Sequence, residues 1–167
     1  WVASYPKSGN TWVRSIISSL LFTEDGIFDF KLLDRIPSFP SSLFFKDLVE
    51  DLNNPKKIKK NWLIAQERLN TVKAIKFLKT HNGNYTLGNY QFTDDKNTFG
   101  TIYIVRDPRN VLLSVKNHYD LSENEALNFI TTSRILVHHI DKIHTLLGTW
   151  GDHFNSWTKN NSNLVNF

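Results

Sequence analysis

The sequence of 167 residues contains no cysteine and no methionine. The lack of cysteine excludes disulfides, zinc sites built on thiolates and a cysteine nucleophile. Long apolar runs are also missing. The longest candidate, residues 15–22, holds three serines and is far shorter than the roughly 20 residues that span a bilayer. We therefore expect a cytoplasmic protein with no membrane partner.

Charge and size narrow the class of protein. The formal net charge of +4 favours anionic ligands but is too small to indicate nucleic acid as a partner. A hydrophobic content of 40% is ordinary for a globular protein, and the length suits one domain over residues 1–167. Residues 1–5 and 163–167 both have strand character, so we expect a fragment of a longer domain, truncated at both ends.

Strand and helix patterns alternate along the chain, which predicts an α/β fold with a central parallel sheet flanked by helices. Strands are predicted at residues 1–5, 74–80 and 101–105. Helices are predicted at residues 11–22, 43–52, 55–71, 108–118, 123–147 and 151–159. Residues 81–99 are polar and read as one long loop, and loops of that length are often functional.

The first strand and the first helix are joined by a turn that contains Lys7 and Gly9. Backbone N–H groups in such a turn, together with the free donors and the dipole of the helix, form an anion site. The turn is not a Walker A motif, because Lys7 precedes the only glycine instead of following a second one. A phosphate-binding loop is the functional interpretation, and an ordinary solvated turn is the alternative.

Charged groups also follow the other two predicted strands. The carboxyl ends of parallel strands lie on one edge of the sheet, where ligands bind. His81, preceded by Lys79, ends the second strand, and Arg106 ends the third. Arg106 and Ser114, about two helical turns later, could form a second phosphate site. The alternative is that Arg106 pairs with Asp107 or covers the sheet edge.

Two aromatic rings have candidate roles. His81 is the best candidate for a general base, because histidine titrates near neutral pH. Trp12 could stack on a nucleotide base or pack in the core. The other histidines do not suggest a metal site, since no H-E-x-x-H pattern is present. We therefore expect that the cluster of His138, His139 and His144 does not bind a metal ion.

These motifs resemble those of the PAPS-dependent sulfotransferases. Residues 5–12, Y-P-K-S-G-N-T-W, resemble the family's 5′-phosphosulfate loop, and residues 104–114 resemble its 3′-phosphate motif. Residues 79–81, K-T-H, resemble the segment of the catalytic histidine, and residues 148–150, G-T-W, are similar to its G-S-W segment. The chain is identified on this basis as a member of the family, closer to bacterial members than to animal cytosolic ones.

The resemblance implies a P-loop-like three-layer fold and a metal-free reaction. The donor would be 3′-phosphoadenosine-5′-phosphosulfate (PAPS), the product adenosine 3′,5′-bisphosphate (PAP), and the acceptor a hydroxyl or amine of a small molecule. His81 would be the general base, assisted by Lys7 and Lys79. The residues implied to bind the donor are Lys7, Ser8, Gly9, Asn10, Thr11 and Trp12 at one end, and Arg106 and Ser114 at the 3′-phosphate.

The chain departs from the family pattern at Asn10, where threonine is commoner, and at Leu147, where many members carry a tyrosine. The family's basic R-K-G loop has no counterpart before residue 167, and its usual dimer contact lies near the C-terminus, so a homodimer is possible. We expect the acceptor to be lined by residues 82–95, residues 27–45 and residues beyond Phe167. The phenylalanines of that region are either an apolar wall or core: Phe28, Phe30, Phe39, Phe44 and Phe45.

Two other functions are compatible with the same residues. A nucleotide kinase-like phosphotransferase would have a similar sheet edge and loop, but it would depend on magnesium. A non-catalytic nucleotide-binding fragment would bind PAP without turnover. Both alternatives share the predicted anion loop, so they differ from a sulfotransferase in chemistry and not in the position of the site.

Overall fold

A computed structural model describes residues 1–72, 74–137 and 143–159. The strands are β1 Val2–Ser4, β2 Lys79–Thr80, β3 Thr86–Leu87, β4 Tyr90–Gln91, β5 Ile102–Ile104, β6 Ile135–Val137 and β7 His144–Leu146. The helices are α1 Asn10–Phe22, α2 Ser42–Phe45, α3 Pro55–Lys60, α4 Trp62–Asn70, α5 Pro108–Tyr119, α6 Glu123–Thr131 and α7 Trp150–Thr158, with a 3-10 helix at Phe30–Arg35. Helices therefore alternate with short strands, some of which pair in parallel and some antiparallel.

The central sheet has three strands in the order β2-β1-β5, and both pairings are parallel. Val2 is in register with Lys79 on one side and with Ile102 on the other. The middle strand is completely buried, as expected for a short apolar strand that is covered on both faces. The predicted α/β class with a central parallel sheet and flanking helices is confirmed.

Two hydrophobic clusters form the core of the described residues. The first contains Phe39, Phe45 and Trp157, and the second contains Tyr5 and Leu147. Burying one such aromatic side chain contributes roughly 1.5–3 kcal/mol. Phe39 and Phe45 are completely enclosed, so their role is core packing and not the wall of a cavity.

In the described residues, the predicted long helix over residues 123–147 is wrong beyond Thr131; residues 138–142 lie outside the described residues. The capping box of Ser122 and Glu125 does begin α6, but that helix ends at Thr131. The chain then forms an antiparallel hairpin in which Ile135 pairs with Leu146. Successive hydroxyl residues at 131–133 compete for backbone hydrogen bonds, and the β-branched residues of β6 favour a strand.

Other boundaries also differ from the prediction. The helix predicted at residues 55–71 is divided at Asn61, whose side chain donates to the Lys57 carbonyl and whose N–H closes α3. The helix predicted at 43–52 shrinks to α2, and the strand predicted at 74–80 shrinks to β2. The loop at 81–99 contains the β3–β4 hairpin. The helix at 151–159 agrees closely with α7.

The sequence predicts neither a membrane-spanning helix nor a metal site. No helix in the described part of the chain is both long and apolar enough to cross a bilayer. Among residues 1–72, 74–137 and 143–159, no group of three or more potential ligands is arranged to hold a metal ion. Of the histidine cluster considered above, His138 and His139 lie outside the described residues.

Gly148 lies between β7 and α7 and has a left-handed φ of 68°. A methyl group added there would overlap the hydroxyl of Tyr85, which donates a hydrogen bond of 2.9 Å to the Leu147 carbonyl. Only glycine satisfies both the backbone angle and the contact. Packing thus explains why the segment that resembles the family's G-S-W has glycine at its first position.

We predict that Gly148→Ala lowers the free energy of unfolding by about 2 kcal/mol or more, since it adds steric overlap to the left-handed backbone cost of about 1 kcal/mol. Gly26→Ala is the matched control, because Gly26 has a similar φ of 72° and open space around it. Thermal and urea unfolding measure both variants. Equal losses for the two variants would show that the Tyr85 contact is unimportant.

Candidate active site

The three parallel strands end at one edge of the sheet, beside a cavity of about 780 Å³. Ser4, Thr80 and Ile104 are the last residues of β1, β2 and β5. The predicted site residues that line this cavity are Lys7, Gly9, Asn10, Thr11, Trp12, Lys79, His81, Arg106 and Ser114. Three of these side chains are cationic, and the described lining contains no carboxylate, so the cavity has the charge of an anion site.

The loop between β1 and α1 is shaped by two left-handed residues, Lys7 with φ 66° and Gly9 with φ 103°. A non-glycine residue in this region is uncommon and clusters at functional sites. Gly9 precedes α1 without a side-chain cap, and the first turn of α1 contains no acidic residue. The N–H groups of that turn are therefore available to an anion, and the helix dipole favours one.

Arg106 connects the two predicted phosphate sites. Its Nη1 donates a hydrogen bond of 3.0 Å to the carbonyl of Lys7. The alternative pairing with Asp107 is wrong, because that carboxylate is held by Arg109 at 2.5 Å. This interaction and the Arg109 N–H hold the pKa of Asp107 at about 2. Arg106 thus keeps an uncompensated charge at the mouth of the cavity.

The ring of His81 is held in one tautomer by β1. Its Nδ1 lies 2.8 Å from the carbonyl oxygen of Ser4 and 3.3 Å from the Ser4 hydroxyl. A carbonyl only accepts, so Nδ1 carries the proton and Nε2 is the nitrogen with a free lone pair. Burial, followed by the charge of Lys79, lowers the pKa of His81 well below its usual range. The imidazole is therefore neutral at pH 7 and able to accept a proton.

Lys79 lies beside His81 in the wall of the cavity. Burial, and secondly the charge of Arg14, lower the pKa of Lys79 to about 8. The ammonium group is thus still mainly charged at pH 7, and a bound anion would raise its pKa again. Arg14 is fixed nearby, because its Nη2 donates to the carbonyls of Leu33 and Ile36.

Asn10 and Ser8 have different roles within the loop. The Nδ2 of Asn10 donates to the Val2 carbonyl at 3.1 Å and to the Ser4 hydroxyl at 3.2 Å, so the side chain holds α1 to β1 instead of pointing to an anion. Its contribution to a donor site would come from the backbone N–H. Ser8 is buried, and its hydroxyl has no hydrogen-bond partner among the described residues. Ser8 is the one predicted donor-binding residue that is missing from the described lining of the cavity.

Trp12 and Ser114 both border the cavity. Trp12 is 76% exposed, so the expectation of core packing is wrong and its face is open to a ligand. The described lining includes none of residues 27–45 or 82–95, the expected acceptor walls. Sequence patterns did not indicate that the end of α5 and the β6–β7 pair would also line the cavity. These further lining residues are His118, Tyr119, Leu136, Val137 and Thr145.

Comparison with known proteins gives one family. A family model described as a sulfotransferase domain matches residues 1–167. No curated protein gives a significant match. The match covers the loop, both strand-end segments and the G-T-W turn, which are the motifs that surround the cavity.

We predict that the His81 ring titrates far below the usual pKa of about 6.5, because burial and Lys79 oppose its charged form. Nitrogen-15 NMR should show one neutral tautomer with the proton on Nδ1 from pH 8 to pH 6. Below about pH 6.5 this histidine takes up a proton in the unfolded protein but not in the folded one. The free energy of unfolding should therefore decrease as the pH is lowered through that range. A titration midpoint at or above 6.5 would refute this description of the site.

Proposed function

The chain belongs to the sulfotransferase domain family, and we propose that it moves the sulfuryl group from PAPS to a hydroxyl or amine of a small acceptor. The observation that carries this proposal is the hydrogen bond from Arg106 to the Lys7 carbonyl. It links the two proposed anion sites, and the neutral imidazole of His81 lines the same cavity. PAPS has anionic groups at both its 5′ and 3′ positions. A kinase-like phosphotransferase is not favoured by the family match.

The cationic residues fit the two ends of the donor. Lys7 and the N–H groups that begin α1 would hold the 5′-phosphosulfate, with the Thr11 hydroxyl as a further donor. Arg106 and Ser114 would hold the 3′-phosphate, where a guanidinium provides the forked geometry that lysine lacks. Trp12 offers its exposed face to adenine. The absence of carboxylates from the described lining supports this fit.

His81 supplies the base in this proposal. Its Nε2 accepts the proton of the acceptor hydroxyl as the acceptor oxygen bonds to sulfur, and the bond from sulfur to the 5′-phosphate oxygen breaks. Lys7, assisted by Lys79, stabilises the charge that collects on that leaving oxygen. The protein therefore contributes mainly orientation and charge stabilisation, and the residues named require no metal.

The remaining parts of the proposal concern the surroundings of the reaction. We place the protein in the cytoplasm and expect a small-molecule acceptor rather than nucleic acid. The acceptor would approach from the side of His81 and Lys79, opposite the phosphate loop. A homodimer is compatible with this arrangement.

We predict that His81→Ala lowers the rate of sulfuryl transfer about 10²–10⁴-fold, the usual contribution of a general base. The dissociation constant of PAP should stay within about threefold, because the residues that contact the phosphates are unchanged. The measurements are transfer of labelled sulfate from PAPS to a panel of alcohols, phenols and amines, and calorimetric titration with PAP.

His144→Ala is the matched control, since His144 lies on β7 and not in the lining of the cavity. Transfer by His81→Ala at the wild-type rate would disprove the role of the base. PAP binding without any transfer by the wild type would favour a non-catalytic nucleotide-binding protein, and magnesium-dependent phosphoryl transfer would favour a kinase. The absence of PAP binding would remove the proposed donor.

A further inference from the structure

One face of α7 contacts the main chain at and after His81. The Nε2 of His153 lies 3.2 Å from the His81 carbonyl oxygen. The indole Nε1 of Trp157 donates to the next carbonyl, that of Asn82, at 3.0 Å. Positions four apart lie on the same face of a helix, so α7 presents two donors to two successive carbonyls.

The same helix also holds the following residues. The Ser156 hydroxyl accepts a hydrogen bond of 3.0 Å from the N–H of Asn84. The helix itself begins at a defined residue, because Thr149 and Asp152 form a capping box. The segment that follows β2 is therefore fixed by a rigid element and not by its own turn chemistry alone.

His153 is completely buried, and both of its ring nitrogens have partners. The hydroxyl oxygen of Tyr103, on β5, lies 2.9 Å from Nδ1. Because the His81 carbonyl can only accept, Nε2 carries the ring proton and the Tyr103 hydroxyl donates to Nδ1. Burial lowers the pKa of His153 to about 4, so this neutral form persists at pH 7.

We infer that Tyr103 and His153 are positioning residues for the base, acting through the main chain of His81. This inference rests on the proposed function. The hydrogen bonds run from the Tyr103 hydroxyl to His153 and from His153 to the His81 carbonyl, while the ring of His81 is held separately by Ser4. With its main chain and its Nδ1 both fixed, His81 has its Nε2 in one place.

Fixing the base in this way matters because displacement of a reacting group by about 1 Å can cost about 10²-fold in rate. Tyr103 also stacks on His153 and on Trp157, with interplanar angles of 26° and 20°. The rings therefore form a stack across β5 and α7, and the hydroxyl of Tyr103 selects the tautomer of His153 that donates to His81.

The decisive test compares His153→Leu with His153→Gln. Leucine removes the donor, whereas the amide nitrogen of glutamine can occupy the place of Nε2 and donate to the same carbonyl. For transfer from PAPS, we expect His153→Leu to lower kcat about tenfold or more, with the dissociation constant of PAP within about twofold. His153→Gln should recover kcat to within about threefold of the wild type.

Tyr103→Phe provides a second variant that keeps the stacked ring and loses only the hydroxyl. We expect a loss of about threefold in kcat, while the control Tyr90→Phe, at the β3–β4 hairpin, leaves kcat unchanged. If His153→Leu does not fold, this variant alone tests whether the Tyr103–His153 pair positions His81.

Nitrogen-15 NMR of the His81 ring gives a readout that does not need transfer. The wild type should show one tautomer. In His153→Leu and Tyr103→Phe the main chain of His81 is less firmly held, so its Nδ1 should lose alignment with the Ser4 carbonyl and the ring should show a mixture of tautomers. His153→Gln should stay close to the wild type. If the wild type transfers no sulfuryl group, the proposed function fails, and the NMR comparison still decides the positioning role. Unchanged kcat and tautomer in His153→Leu, or equal losses in the leucine and glutamine variants, would overturn the inference.

Discussion

Parallel pairing of β1 with β2 on one side and β5 on the other is the constraint on which the site depends. The register sets Ala3 opposite Thr80 and Ser4 opposite Ile104. All three strands therefore end within one residue of the same level, and the residues that follow them share one edge. A slip of one residue in either pairing would turn the side chains of that strand to the opposite face and separate the base from the anion loop.

The second feature of the site is a group of positive charges with no carboxylate in the described lining of the cavity. Lys7, Lys79 and Arg106 border one cavity, and the nearest candidate partner, Asp107, is bound to Arg109 instead. Like charges held together oppose folding, and an anionic ligand that binds only the folded state recovers that cost. The hydrogen bond from Arg106 to the Lys7 carbonyl links the two loops in which the phosphate sites are proposed.

Motif spacing predicted the strand ends and helix starts that surround the cavity, because these have short-range signals. The buried strand β1, the loop with Lys7, and the proline at the start of α5 can each be recognised locally. The pairing of β6 with β7 could not, since the apolar residues of these strands also match a helix that follows α6. The contacts of Asn10 with Ser4 and of His153 with His81 depend on tertiary packing, which no local pattern records.

The central claim is that the Lys7 loop and Arg106 bind opposite ends of one nucleotide, and its most direct test is a calorimetric cycle with two ligands. PAP and adenosine 5′-monophosphate differ by the 3′-phosphate, and Arg106→Ala removes the group proposed to contact it. The account predicts that Arg106→Ala weakens PAP about tenfold or more, as for a charged hydrogen bond, and the monophosphate much less, with Arg109→Ala affecting neither. Equal weakening of both ligands, or none, would contradict it.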